Sequence, residues 1–178
     1  MMENEVERLV ARAAITDVLY RNARANDRKD PELMRSCFWP ESTHKFGSFQ
    51  GSSYDFVDFA MGIVSKLFHV AHYIGNPSVE LEGDRAFTEC YYAAHQRRPT
   101  PDGGEDDAFF EGRYLDFHER RNGEWRIIHR RGLSDLTLVV PAPSPYASWP
   151  AGNHSRDAPD DDYYVLRRAF LAGAARAS

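Results

Sequence analysis

The sequence has few cysteines, no long hydrophobic run and an acidic N-terminus. Cys37 and Cys90 are its two cysteines, and they show neither a CxxC motif nor a metal-type spacing. We interpret them as reduced, buried thiols of a cytoplasmic protein. No apolar run approaches the roughly 18 residues of a membrane span, and the first residues lack the apolar core of a secretion signal. We therefore expect a cytoplasmic protein without a membrane contact.

Basic residues are in the minority, and several familiar motifs are missing. Lysine and arginine number 22 against 27 acidic residues, which gives a net charge of -5. Nucleic-acid binding needs a basic patch, so we expect no nucleic-acid partner. Glycine-rich phosphate loops, GxSxG and HExxH are all absent. These absences leave little support for a cofactor, and we expect none.

What remains is the composition of an ordinary globular protein. Hydrophobic residues make up 42% of the 178 residues and charged residues 28%, which is enough for one core without disulfides. We assign residues 1–140 to an α+β domain. Residues 141–178 begin with a proline-rich arm, whose expected anchors are Tyr146 and Trp149, and end in a helix. This extension should pack on the same domain or on a neighbouring subunit.

The first predicted helix, residues 3–26, carries amides on its apolar face. Ile15 and Leu19 mark the apolar stripe, and helical spacing places Asn22 and Asn26 on that same stripe. Two interpretations stay open for these amides. They either cap buried backbone groups or project into a polar cavity.

Two shorter helices should follow. Asp30 is a natural N-cap with Pro31 at the first helical position. A third helix should begin at Ser52 or Ser53 and run to about Phe68.

The rest of the domain has the pattern of long β-hairpins. Each long strand exceeds twice the usual length of about five or six residues. Strands of such length bend, and a bent sheet with helices packed inside it forms a cone with a pocket. We therefore predict a cone-shaped α+β barrel, in which a strongly curved antiparallel sheet wraps around three N-terminal helices. The predicted hairpins join residues 76–81 to 85–97 across Gly83, and residues 108–121 to 124–140 across Asn122 and Gly123.

Histidine suits proton transfer near neutral pH, and His72 is the strongest candidate. It lies where the third helix should give way to strands. His69 precedes it by three residues, but the helix should end between the two and no third ligand is spaced to join them, so we expect no metal. His44 and His118 have no recognisable partner. Asp27 is either a solvated turn residue or the carboxylate that holds His72.

Three stretches resemble one family. They are residues 12–17, 72–76 and 119–125. With the order of helices and strands, they make the chain similar to the SnoaL-like branch of the nuclear-transport-factor-2-like superfamily. Within it, the chain resembles hexachlorocyclohexane dehydrochlorinase and, more distantly, scytalone dehydratase and bile-acid dehydratases.

The resemblance implies a catalytic pair. In these relatives an aspartate after the first helix orients a histidine that abstracts a proton, and the matching positions are Asp27 and His72. The implied activity is that of a cofactor-independent, dehydratase-like lyase or isomerase. Its substrate would be a small, hydrophobic, cyclic molecule, and the protein would form a homodimer or homotrimer. Substrate contacts are assigned to Asn22, Tyr54, Tyr92, His95 and Arg131.

A second function remains open at this stage. The chain also resembles the β subunit of ring-hydroxylating dioxygenases, a non-catalytic assembly subunit of similar length. A plain small-molecule-binding protein would likewise keep the pocket. An aspartate in contact with His72 distinguishes the enzyme, because an assembly subunit has no need of one.

Overall fold

The computed structural model describes residues 2–148 and 154–173. Asp30 caps the second helix by accepting a hydrogen bond from the Leu33 amide, and Ser52 caps the third through the Asp55 amide. The first three helices lie against one face of a sheet, called the inner face below. The helices are α1 (Met2–Asp27), α2 (Pro31–Arg35), α3 (Ser53–Val64) and α4 (Asp162–Leu171).

Six strands form one curved, unclosed sheet in the order β2-β1-β6-β5-β4-β3. The α+β prediction is confirmed, with one pairing that the pattern did not predict: β1 runs parallel to β6, while the other neighbours are antiparallel. The strands are β1 (Phe38–Phe46), β2 (Phe49–Ser52), β3 (His69–Glu82), β4 (Arg85–Pro99), β5 (Glu105–Arg121) and β6 (Glu124–Pro141).

Both long hairpins turn where the sequence predicts. Asn122 and Gly123 each have a positive φ, as a two-residue turn between twisted strands requires. Gly83 has a φ of 57° between β3 and β4. At such angles a side chain would be strained, so glycine is favoured there.

The core fills the space between α1, α3 and the inner face. Its centre is fully buried, and burial of such side chains is the main source of stability in a domain of this size. The core residues with no exposed surface include Ile15, Ala25, Phe38, Val57 and Ile127.

A β-bulge in β6 changes which residues face inward. Phe117 pairs with His129 and His118 with Ile127, so Ile128 has no partner on β5. An extra residue reverses the alternation of faces beyond it. Arg130 is consequently buried, whereas Arg131 is exposed. Arg131, which was expected to contact the substrate, therefore lies on the face of the sheet away from the helices.

His72 lies within a strand and not at a helix boundary. The third helix ends at Val64, and β3 begins at His69. The segment expected at the junction is thus already paired, and His72 lies opposite Ala94 of β4.

The C-terminal arm folds back on the same chain. The Tyr146 ring stacks on Phe68 and His69, and the Ala158 amide donates to the Arg28 carbonyl. The expected anchor Trp149 lies outside the described residues. None of the helices in the described part of the chain is long and apolar enough to span a bilayer.

Candidate active site

Asp27 and His72 meet where the end of α1 approaches β3. Oδ1 of Asp27 lies 2.6 Å from Nδ1 of His72, and Oδ2 accepts the backbone N–H of His72 at 3.1 Å. Only 15% and 10% of the two side chains are exposed. Water therefore screens the contact little. With Nδ1 held by the carboxylate, the other ring nitrogen, Nε2, is the one left to accept a proton.

Two adjoining cavities of about 120 Å³ each lie on the inner face, and His72 lines both. Phe46, Gln96 and Tyr114 are also shared between them. Aromatic and aliphatic side chains dominate the wall toward α3, as in most small-molecule sites. They include Phe56, Phe59, Ala60, Ile63 and Val64.

A buried cation forms part of the cavity wall. Arg130 is 3% exposed and donates two hydrogen bonds to Asp116, at 2.8 and 2.7 Å. A third goes from its Nη1 to Oδ1 of Asn22 at 2.6 Å. Burial opposes the charge, but the attraction of Asp116 outweighs it and raises the pKa of Arg130. The guanidinium therefore stays charged and fixed.

His44 is a further histidine in the wall, and no partner for it is recognisable in the sequence. It is 2% exposed and stacks on Phe56 with ring centroids 3.6 Å apart. Burial, helped by the charge of Arg130, lowers the pKa of His44 to about 2. Its imidazole is therefore neutral across the physiological range.

Two of the predicted substrate contacts line the cavities. Asn22 and its neighbour Asn26 reach the first cavity from α1. Of the two interpretations of these amides, capping of backbone groups or projection into a cavity, the structure supports the second. Tyr92 lines the second cavity, and its hydroxyl donates to the Leu133 carbonyl at 3.1 Å.

Three predicted contacts lie elsewhere. His95 lies on the opposite face of β4, where it contacts Asp107 at 2.6 Å, because successive strand residues alternate and its neighbour Ala94 faces the cavity. Tyr54 packs against the apolar core, since it lies on a different side of α3 from the residues that line the cavity. Arg131 points outward beyond the bulge, and Arg130 takes the inner position.

Two larger clefts of the described surface lie away from this site. They measure about 540 and 570 Å³ and open near Arg85 and near the start of α1. Neither is lined by Asp27 or His72. We locate the candidate site at the smaller cavities because the first of them is lined both by His72, which Asp27 holds, and by the buried cation Arg130. Within residues 2–148 and 154–173, no three His, Cys, Asp or Glu side chains are grouped as metal ligands.

A curved sheet wrapped around helices, with a histidine–aspartate contact at its inner cavity, defines the class of cone-shaped α+β pocket proteins. The SnoaL-like domain family matches residues 7–131. The chain belongs to this family. A comparison with curated protein sequences finds no match.

Solved structures share the fold at low sequence identity. A hexachlorocyclohexane dehydrochlorinase of type 2 superposes with a TM-score of 0.71 and 18% identity over 83% of this chain and 99% of its own. A candidate scytalone dehydratase from Novosphingobium aromaticivorans gives 0.67 and 19% over 78% and 91%. A candidate aromatic ring hydroxylase from the same species gives 0.63 and 21% over 74% and 92%. At such identities these likenesses establish the fold alone.

Proposed function

We propose that the chain is a cofactor-independent lyase or isomerase in which His72 removes a proton from a carbon atom of a small, hydrophobic, cyclic substrate. The two-point contact between Asp27 and His72 is the observation that carries this proposal. Loss of water or another leaving group, or migration of a double bond, completes the reaction.

Asp27 acts as the positioning residue for the base. By accepting the proton on Nδ1, its carboxylate selects the tautomer whose Nε2 is basic, and it stabilises the imidazolium once the proton has been taken. The second contact, to the backbone amide of His72, restrains the strand that carries the ring. A base restrained in this way needs little reorganisation during the reaction.

Arg130 is suited to the other half of the reaction. Its fixed positive charge lies in the same wall as His72, inside a largely apolar cavity. Negative charge that develops on a leaving oxygen or an enolate is stabilised by a nearby buried cation more than it would be in water. We therefore assign to Arg130 the substrate contact that was expected of Arg131.

The assembly-subunit alternative has less support. A subunit that only fills space requires neither a carboxylate on the imidazole nor a cation in the cavity wall. Here His72, whose ring contacts such a carboxylate, and the cation Arg130 both line one cavity. The chemistry of the site therefore favours an enzyme over an assembly subunit.

Turnover of a compound panel tests the proposal. The panel contains cyclic hydroxy ketones, cyclic alcohols and chlorinated cyclohexanes, and proton NMR detects a new or migrated double bond. His72→Ala should lower the rate of any compound turned over by about a hundredfold or more, because the base is gone.

Asp27→Asn provides the companion variant. Its single amide oxygen cannot accept from both the ring and the backbone of His72, so we expect an intact fold by circular dichroism but impaired turnover. Wild-type rates in both variants would contradict the proposal.

A further inference from the structure

Polar atoms without a protein partner converge on the first cavity. They are Nδ2 of Asn22, Oδ1 of Asn26 and both ring nitrogens of His44. All three residues line this cavity. A buried polar group that lacks a hydrogen bond costs free energy, and apolar residues of similar size would fill the same space without this cost. Packing alone therefore gives no reason for these three side chains on one wall.

The orientation of Asn22 is determined by its neighbour. Arg130 can only donate, so the atom that it contacts at 2.6 Å is the amide oxygen of Asn22. Arg130 is itself held by two hydrogen bonds to Asp116. The amide nitrogen of Asn22 is thus the free group, and it requires an acceptor. One helical turn further along α1, the free oxygen of Asn26 requires a donor.

His44 offers the cavity both a hydrogen-bond donor and a hydrogen-bond acceptor. A neutral imidazole has one donor and one acceptor nitrogen, and burial keeps this ring neutral. Phe56 stacks on the ring, while Phe38 and Phe49 lie at 5.7 and 6.4 Å between centroids. These aromatic contacts hold the ring but satisfy neither nitrogen. Arg130 and Asp116 together carry no net charge, so a substrate group that is already anionic gains little there, although the guanidinium can still stabilise the partial charge that develops during the reaction.

We propose that Asn22, Asn26 and His44 form a recognition subsite for a neutral oxygen-bearing group of the substrate, with at least one hydroxyl that both donates and accepts. This inference rests on the proposed function for the placement of the reacting carbon near His72. It narrows the substrate to an oxygenated ring, because a purely halogenated hydrocarbon has no hydrogen to donate to Asn26 or His44. The subsite therefore disfavours loss of chloride from a chlorinated cyclohexane, while loss of water and migration of a double bond both fit it.

Binding of two matched probes tests the subsite without catalysis. Resorcinol and 1,3-difluorobenzene have similar shapes, but only resorcinol can donate hydrogen bonds. Calorimetric titration of the wild type should give resorcinol at least about tenfold tighter binding, which corresponds to about 1.4 kcal/mol. His44→Phe should weaken resorcinol about tenfold and leave the difluoro probe unchanged. Asn22→Leu should act in the same direction.

His129→Phe is the matched control, because this neighbouring histidine contacts Thr43 instead of the cavity. It should leave both affinities unchanged. The ligand-free Tm gives a second readout: His44→Phe removes two unsatisfied nitrogens and should melt no lower than the wild type. Equal affinities for the two probes in the wild type, no binding of either, or an equal loss of both in His44→Phe would overturn the subsite.

The His72→Ala variant separates this inference from the proposed function. A resorcinol preference that persists in His72→Ala, together with lost turnover, supports both. Lost turnover without any probe preference in the wild type overturns the subsite alone. Turnover that survives in His72→Ala overturns the proposed function, whatever the probes do.

Discussion

Asp27 makes two contacts with His72. One orients the imidazole ring, and the other positions the backbone that carries it. Its Oδ1 sets the rotation and tautomer of the His72 ring, while its Oδ2 holds the backbone of β3 against the end of α1. The same carboxylate thus couples the position of the strand to the chemistry of its side chain. Replacement of Asp27 by Ala would remove both contacts, whereas Asn keeps one oxygen that can still accept a hydrogen bond. Asn is therefore the better probe of what the carboxylate does for the imidazole.

His44 and His118 make the stability of the fold sensitive to acid. Burial lowers the pKa of His44 to about 2 and that of His118 to about 4. Both pKa values are near 6.5 in an unfolded chain. Between the folded and unfolded values the unfolded chain binds more protons, so the free energy of unfolding is highest above pH 6.5 and falls as the pH drops below it.

We predict that His44→Phe reduces this acid sensitivity. Each buried neutral histidine contributes a slope of up to about 1.4 kcal/mol per pH unit, and the variant lacks one of them. Urea unfolding at pH 7 and pH 5 measures the difference. His129→Phe, on a partly exposed histidine, serves as the control. The same loss of stability in wild type and His44→Phe would contradict the assigned burial.

At the scale of elements, the sequence predicts turns and helix caps better than it predicts which strands pair with each other. The Asn122-Gly123 turn and the caps of α2 and α3 depend on neighbouring residues, so the sequence predicts them. The parallel pairing of β1 with β6 joins distant segments and has no local signal. Asp27 and His72 could be proposed because a family resemblance links them across 45 residues.

The bulge at Ile128 explains the main error in the predicted site. Alternation along β6 places Arg131 on the inner face only if the strand is regular. The unpaired residue Ile128 shifts the alternation by one position, so Arg130 faces inward in place of Arg131. Nothing in the local sequence marks Ile128 as a bulge. His95 was misplaced for another reason: its strand is regular here, but the pattern did not reveal which of its two faces is the inner one.

The helix of the C-terminal extension is attached to the end of α1 near the candidate site. Asp161 caps α4 through the Tyr163 amide at 3.0 Å and pairs with Arg28 at 3.3 Å. Burial acts to raise the pKa of Asp161, but the amides of Arg156 and Tyr163, together with Arg28, outweigh it and lower the pKa. The cap therefore stabilises α4 at neutral pH, and this contribution disappears as the pH falls through the lowered value.

We predict that Asp161→Asn loosens α4 without affecting the sheet. Asn can still cap the helix through its one amide oxygen, but it loses the acceptor for the Arg156 amide and the charge that pairs with Arg28, at a cost of about 1 kcal/mol that should be local. Hydrogen exchange followed by mass spectrometry should show faster exchange across residues 162–171. Asp160→Asn is the matched control on the exposed neighbour. Equal exchange of α4 in the two variants would show that Asp161 does not anchor this helix.

At the scale of the whole molecule, the outer face of the sheet is the surface that we propose for self-association. Antiparallel pairing places several exposed apolar side chains together on this face, and contiguous apolar patches often mark protein–protein contacts. We propose a homodimer or homotrimer that covers them. Exposed apolar residues on this face include Tyr73, Tyr91, Phe109, Leu136 and Leu138.

Leu138→Lys should weaken the association, because it places a charge within the proposed interface. Light scattering of the wild type should give a multiple of the 20.4 kDa chain, and the variant should shift toward that mass. Leu9→Lys, at an even more exposed leucine on α1, should leave the mass unchanged. A wild-type mass of 20.4 kDa at micromolar concentration would exclude the oligomer.

Transfer of deuterium from solvent tests the central claim, that His72 takes a proton from carbon, most directly. A cyclic hydroxy ketone identified by turnover is incubated with the protein in D₂O, and NMR follows the C–H group next to its carbonyl. His95→Ala removes a histidine that contacts Asp107 at the same 2.6 Å but on the opposite face. We predict protein-dependent deuterium incorporation in the wild type and in His95→Ala, and none above background in His72→Ala. Incorporation in His72→Ala at the wild-type rate would contradict the account.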